Sequence, residues 1–134
     1  MLFNSPLLFV FSTLLTMAHS APVELYPRTF SGDATFFDPG LGACGFTNTA
    51  DQLIVAVGHG EFDSFPGAGP NPNTNPICGK QIQATSGGRT VTATVVDRCA
   101  GCAGAADLDF SEAAFAQLAD PSVGRIHGVQ WDFV

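Results

Sequence analysis

The sequence predicts a small β-barrel carrying one convincing helix, on three observations. Fifteen glycines and nine prolines are spread through 134 residues, and that density of chain-reversing residues suits short strands joined by turns rather than a helical bundle. Five or six runs rich in β-branched and aromatic residues lie between those breaks, each of strand length. Only one stretch, Ser111 to Leu118, combines a capping residue with helical apolar spacing. The length admits one domain, or one domain plus a processing segment.

Residues 1–20 contain no Asp, Glu, Lys or Arg and hold an apolar run from Leu7 to Met17, too short for a bilayer span of roughly 20 residues. The run ends in Ala18-His19-Ser20 before Ala21, a small-x-small pattern, so residues 1–20 read as a signal peptide cut after Ser20. Residues 21–29, with Pro22 and Pro27, read as an N-terminal leader, and residues 30–134 as the folded domain.

Within that domain Phe30 to Phe37 reads as a strand, broken by Asp38-Pro39-Gly40. Leu53 to Val57 is a continuous apolar run, as expected of a strand buried on both faces. Phe65 to Pro76 holds four prolines, three asparagines and two glycines, which excludes a regular element and gives a surface loop of the kind that carries function. Lys80 to Thr85 and Arg89 to Val96 flank Ser86-Gly87-Gly88, where Gly-Gly supplies the positive φ of a tight hairpin. Val91, Ala93 and Val95 alternate with Thr92 and Thr94, the pattern of a half-buried strand. Ser111 caps the helix, Glu112 sits in its first turn, Phe115 and Leu118 share its apolar side, and Asp120-Pro121 ends it. Ile126 to Val134 is the final strand, with Val129, Trp131 and Phe133 on one side.

Charge narrows the function. Five basic against twelve acidic side chains give a net charge of −7, which argues against nucleic acid, anionic membranes and acidic polysaccharides as partners. Cys44, Cys78, Cys99 and Cys102 all lie beyond the expected cleavage site. An even count in a secreted chain predicts two disulfides, with three pairings open. Cys99-x-x-Cys102 opens no helix, so a structural bridge is favoured over a redox centre. His59 and His127, the two histidines of the expected mature chain, read as surface or strand-end residues with little support for a metal site, and no Ser/His/Asp set is evident. No metal and no cofactor are expected.

Several segments, in order, carry a family likeness. Gly32-Asp33-Ala34-Thr35-Phe36-Phe37 with Gly42-Ala43-Cys44-Gly45, then Cys78-Gly79-Lys80, then Val95-Val96-Asp97-Arg98-Cys99-Ala100-Gly101-Cys102, then Asp107-Leu108-Asp109-Phe110-Ser111, and finally Gly124-Arg125-Ile126 with Trp131, resemble the double-psi β-barrel domain of expansins, barwin-like and lipoprotein-A-like proteins. Within that group the chain resembles the single-domain secreted fungal loosenin-like proteins. The resemblance implies a mainly β fold, a six-stranded double-psi β-barrel with one or two short helices, and a shallow polar groove that holds cell-wall polysaccharide without hydrolysis. It places Thr35, Asp97 and Asp109 in that groove and implies the pairing Cys44–Cys78 with Cys99–Cys102. Bacterial expansins carry an aromatic residue two positions after the first aspartate, where this chain has Cys99, so one sugar contact is missing.

The chemistry of these residues agrees. Asp97, Asp107 and Asp109 are carboxyl groups able to make charge-assisted hydrogen bonds to sugar hydroxyls. Trp131 reads as core, which leaves Phe37 and Phe65, both beside turn residues, as aromatics for sugar stacking. The expected function is that of a secreted, non-catalytic, monomeric protein binding cellulose, another neutral glucan or chitin. Two rival readings stand beside it. One is an inhibitor of papain-like cysteine proteases acting through surface loops, chiefly Phe65 to Pro76. The other is an endoglucanase-like glycoside hydrolase using Asp38 as base and Asp109 as acid, a pair that must hold a water between them.

Overall fold

Six strands close into a barrel in a computed structural model that describes residues 29–134. The expected signal peptide and all of the leader but Thr29 lie outside the described residues. The strands are β1 (Phe30–Phe36), β2 (Ile54–Gly58), β3 (Gln81–Ser86), β4 (Arg89–Cys99), β5 (Leu108–Phe110) and β6 (Ile126–Phe133). Two short helices, α1 (His59–Ser64) and α2 (Glu112–Leu118), complete the mainly β architecture. Around the barrel the order is β1-β5-β2-β4-β3-β6 and back to β1. Pairs β1–β5 and β2–β4 are parallel and the other four are antiparallel.

Alternation sets the faces. Ile82 and Ala84 on β3 and Val91, Ala93 and Val95 on β4 point into the core, while Gln81, Gln83 and Thr92 stay exposed. Gly87 and Gly88 have φ of +56° and +78° between the paired Ser86 and Arg89, the two-residue turn whose twist suits a hairpin. On β2 all five residues are buried, as a continuous apolar run predicts. Trp131 anchors an aromatic cluster: it stacks on Phe30 at 4.3 Å and meets Phe133 edge-on at 5.4 Å. Helix α2 starts as expected. Ser111 Oγ accepts from the Ala114 amide (3.3 Å) and donates to the Gln52 carbonyl (2.5 Å), and Phe115 and Leu118 enter the core.

Three features depart from the sequence reading. Strand β5 has only three residues, with Leu108 and Phe110 inward and Asp109 outward, and is not among the strands that the sequence pattern marks. Helix α1 was not anticipated, because it spans six residues, includes Gly60 and buries only Phe62. Phe65 is a half-buried core residue rather than a surface platform: it packs edge-on to Phe133 at 5.5 Å under Lys80. The cause is local. Asn75, buried in the proline-rich loop, donates to the Phe62 carbonyl (2.8 Å) and accepts from the Ile77 amide (3.0 Å), which folds the loop back on the barrel. A single 3-10 turn, Pro72–Thr74, lies within it.

The disulfides are Cys44–Cys78 and Cys99–Cys102. They span 34 and 3 residues, so loop-closure entropy gives the first roughly 3–4 kcal/mol and the second about 2 kcal/mol. Replacing Cys44 and Cys78 by alanine is therefore expected to lower the melting temperature by on the order of 15–25 °C. The same change at Cys99 and Cys102 should cost about half as much. Thermal melts of the two variants check the ranking, which reverses if the short bridge is the main staple.

Candidate functional site

One register row across four strands builds the site. Thr35 on β1 pairs with Asp109 on β5, Asp109 pairs with Ala56 on β2, and Ala56 pairs with Asp97 on β4. Side chains in register on neighbouring strands share a face, so the row brings Thr35, Asp109 and Asp97 around Ala56. Asp97 reaches that face through a bulge. Val55 faces Val95, but Ala56 faces Asp97, so Val96 is the extra residue. Strict alternation after inward Val95 would turn Asp97 into the core, and one added residue resets the phase.

The row lies in an open cleft of about 430 Å³, lined also by Asp33, Phe37, Asp107, Arg98, Arg125 and the Cys99–Cys102 loop. Ala56, 2% exposed, is its floor. Asp33, Thr35 and Phe37 alternate along β1 and its end, which puts all three on the cleft side. Asp38 lines a different cavity, with Phe36, Ala50 and Glu112, and Phe37 borders both.

The carboxylates are held differently. Asp97 Oδ1 accepts from the amides of Ala43 and Arg98, both at 2.8 Å. Asp107 uses both oxygens, taking the Asp33 amide at 2.9 Å and the Gly104 amide at 2.8 Å, so its task is to fix loops. A Cβ on Gly104 would lie 2.6 Å from Asp107 Oδ1, which is why no larger residue fits there. Asp33 receives Arg125 Nη1 and His127 Nδ1, each at 3.0 Å, and these bonds, His127 first, lower its pKa. Arg98 grips Asp63 with two bonds of 2.8 and 2.7 Å.

Asp109 is the exception. Thr35 Oγ1 donates to its Oδ1 at 2.8 Å. Burial raises its pKa from the ordinary carboxyl value, opposed by the Thr35 bond and the Arg125 charge and helped by the neighbouring Asp97 charge. A carboxyl raised by folding contributes stability that is complete below about pH 4 and lost as pH rises through the folded value. Asp109→Asn, which still accepts from Thr35, is therefore expected to be at least as stable as the parent at pH 7, with the difference closing below pH 4. Melting temperature against pH for both proteins checks this, and a parent that gains on the variant as pH rises would contradict it.

Thus the structure brings Thr35, Asp97, Asp109 and Phe37 into one cleft and leaves Asp38 outside it. Sequence reasoning missed Ala56, Asp33, Arg98 and Arg125 as lining residues. The signal for Ala56 was there, a small residue at the centre of a buried valine-rich strand. His59 sits at the start of α1 with Nδ1 3.3 Å from the Cys99 carbonyl. Among the described residues no group of three His, Cys, Asp or Glu could hold a metal ion, and no helix is long and apolar enough to cross a membrane.

Comparison with known proteins places the fold. No protein-family model matches the chain. It is 36% identical to the papain inhibitor of Streptomyces mobaraensis over 125 residues, covering 91% of this chain and 82% of the inhibitor. It is 40% identical over 120 residues to the allergen Asp f 7 homolog of Arthroderma benhamiae, covering 78% of this chain but only 38% of that protein, so it spans little more than a third of that relative's length. The solved Streptomyces papain inhibitor superposes with a TM-score of 0.69 at 34% identity, over 80% of this chain and 94% of that one. A Clavibacter michiganensis expansin in complex with cellohexaose superposes at 0.63 and 29% identity, over 80% of this chain and 50% of the expansin. With its six-stranded closed barrel, the chain belongs to the double-psi β-barrel family that contains the Streptomyces papain inhibitor and the expansins.

Proposed function

We propose that the cleft binds one chain of a neutral wall polysaccharide, a cellulose-like glucan or chitin, without cleaving it, and that the protein acts outside the cell. The observation that supports this is the row Thr35–Asp109–Ala56–Asp97, two carboxyls and a hydroxyl around a small floor residue. Hydroxyl-rich chains are the natural guests of such a trough, because carboxylates make the stronger kind of hydrogen bond to them. The expansin neighbour was solved with cellohexaose, and two disulfides suit an oxidising compartment. Hydrolysis has less support. It needs an acid and a second carboxylate flanking one bond, and Asp38 and Asp109 line separate cavities.

The test is retention of purified residues 21–134 on amorphous cellulose and on chitin, with reducing ends measured in parallel. Retention without sugar release is the expected result. Sugar release that disappears in Asp109→Asn would make the protein a hydrolase, and neither retention nor release would remove the reading.

A second reading has its own support. The papain inhibitor relative is 36% identical over nearly the whole chain, so inhibition of a papain-like cysteine protease through rigid surface loops is proposed as an alternative activity. It predicts sub-micromolar inhibition of papain that survives Asp109→Asn.

A further inference from the structure

Building on the inhibitor reading, we infer that the inhibitory surface is an uncharged ridge of two stapled loops, residues 39–50 and 64–79, with Leu41 and Phe46 as the anchors that enter the substrate cleft of a papain-like cysteine protease. In a chain with twelve acidic and five basic side chains, neither loop contains one. Leu41 is 76% exposed and Phe46 47% exposed, the two large apolar side chains of a tight turn. The turn is closed by the Gly42 amide on the Phe46 carbonyl (3.0 Å), the Gly45 amide on the Gly42 carbonyl (2.9 Å) and the Leu41–Thr47 bridge. Gly45 has a φ of +83°, the left-handed region that the turn needs.

The turn is fixed from below. Cys44 is bonded to Cys78 at the end of the second loop. The Ala43 amide is held by Asp97 Oδ1 at 2.8 Å and the Cys44 amide by the Val96 carbonyl at 3.2 Å. Gly45 lies against Asn73, since a Cβ there would sit 3.2 Å from Asn73 Oδ1, so the two loops form one surface. Four prolines and buried Asn75 stiffen the second loop.

Leu41 and Phe46 are exposed in one turn and lie outside the core cluster, and large apolar side chains held out to solvent by a fixed loop are free to serve as contact anchors. A preorganised loop loses little freedom on binding. An exposed, charge-free turn suits an apolar protein cleft rather than a charged partner. Asp97 then has a second task here, as a positioning residue for the turn.

The experiment measures the inhibition constant of purified residues 21–134 against papain. The variants are Leu41→Asp, Phe46→Asp and the double variant, with Thr92→Asp as a charge-matched control at an exposed β4 position. Anchor residues dominate such interfaces, so the double variant is expected to weaken inhibition by at least about 30-fold, with an unchanged melting temperature, while Thr92→Asp leaves inhibition as it was. The uncharged pair Leu41→Ser with Phe46→Ser should act in the same direction. A parent that inhibits together with a double variant that inhibits equally well overturns the ridge and leaves the inhibitor reading standing. A parent that does not inhibit papain overturns both. Loss of cellulose retention in Phe46→Asp, with inhibition intact, would reassign the tip to sugar and overturn the proposal.

Discussion

Replacing Trp131 by alanine is expected to destabilise the protein by about 3–5 kcal/mol, the range for truncating a fully buried aromatic. The side chain is 1% exposed, stacks on Phe30 and meets Phe133. Its Nε1 also donates to the Ala106 carbonyl at 2.9 Å, which ties the core to the segment just before Asp107. A Cβ on Gly32 would lie 2.4 Å from the same carbonyl, so this loop seats tightly on the barrel. Trp131→Phe keeps most of the volume but removes the hydrogen bond, and should cost about 1–2 kcal/mol more than volume alone explains. Denaturant unfolding of both variants separates the two contributions. Equal losses would mean that the hydrogen bond, not the ring, carries the effect.

Ala56→Leu is expected to abolish polysaccharide retention while leaving the barrel folded. The added carbons rise from the cleft floor between Asp109 and Asp97, where β2 pairs with β5 on one side and β4 on the other. They enter an open cleft of about 430 Å³ rather than the sealed core, so the stability change should stay within about 2 kcal/mol. Loss of binding should exceed about tenfold, because a filled floor denies a sugar ring its approach to both carboxyls at once. Depletion isotherms on amorphous cellulose, with a melt as the folding control, read both quantities. Unaltered retention in the folded variant would place the binding surface elsewhere.

Much of the fold was legible because the strongest signals were local. The Gly87-Gly88 turn, the alternation through β3 and β4, the continuous apolar β2 and the Ser111 cap each follow from one short stretch of sequence. What escaped depends on tertiary context. Strand β5 has three residues and exists because β1 and β2 flank it. Helix α1 has a single buried side chain and no apolar stripe to announce it. Phe65 looked like a surface ring among turn residues, yet Asn75 draws its loop inward.

The site shows the same division. Thr35, Asp97 and Asp109 came from a family resemblance, and only the register explains why they meet. Period-two reading from Val95 would have sent Asp97 inward, since a one-residue bulge at Val96 leaves no mark in composition. Asp107, which looked chemically equivalent to Asp109, holds two backbone amides instead. That distinction needs coordinates, because it depends on where the Asp33 and Gly104 amides point.

Titrating isotopically labelled residues 21–134 with cellohexaose, and separately with chitohexaose, while following backbone amide resonances is the most direct check on the trough. At least one of the two sugars should move the signals of Thr35, Ala56, Asp97 and Asp109 together, with one saturation curve, and leave exposed β3 and β4 positions such as Gln83 and Thr92 unchanged. Shifts confined to other faces of the barrel, or none with either sugar at millimolar concentration, would contradict the account.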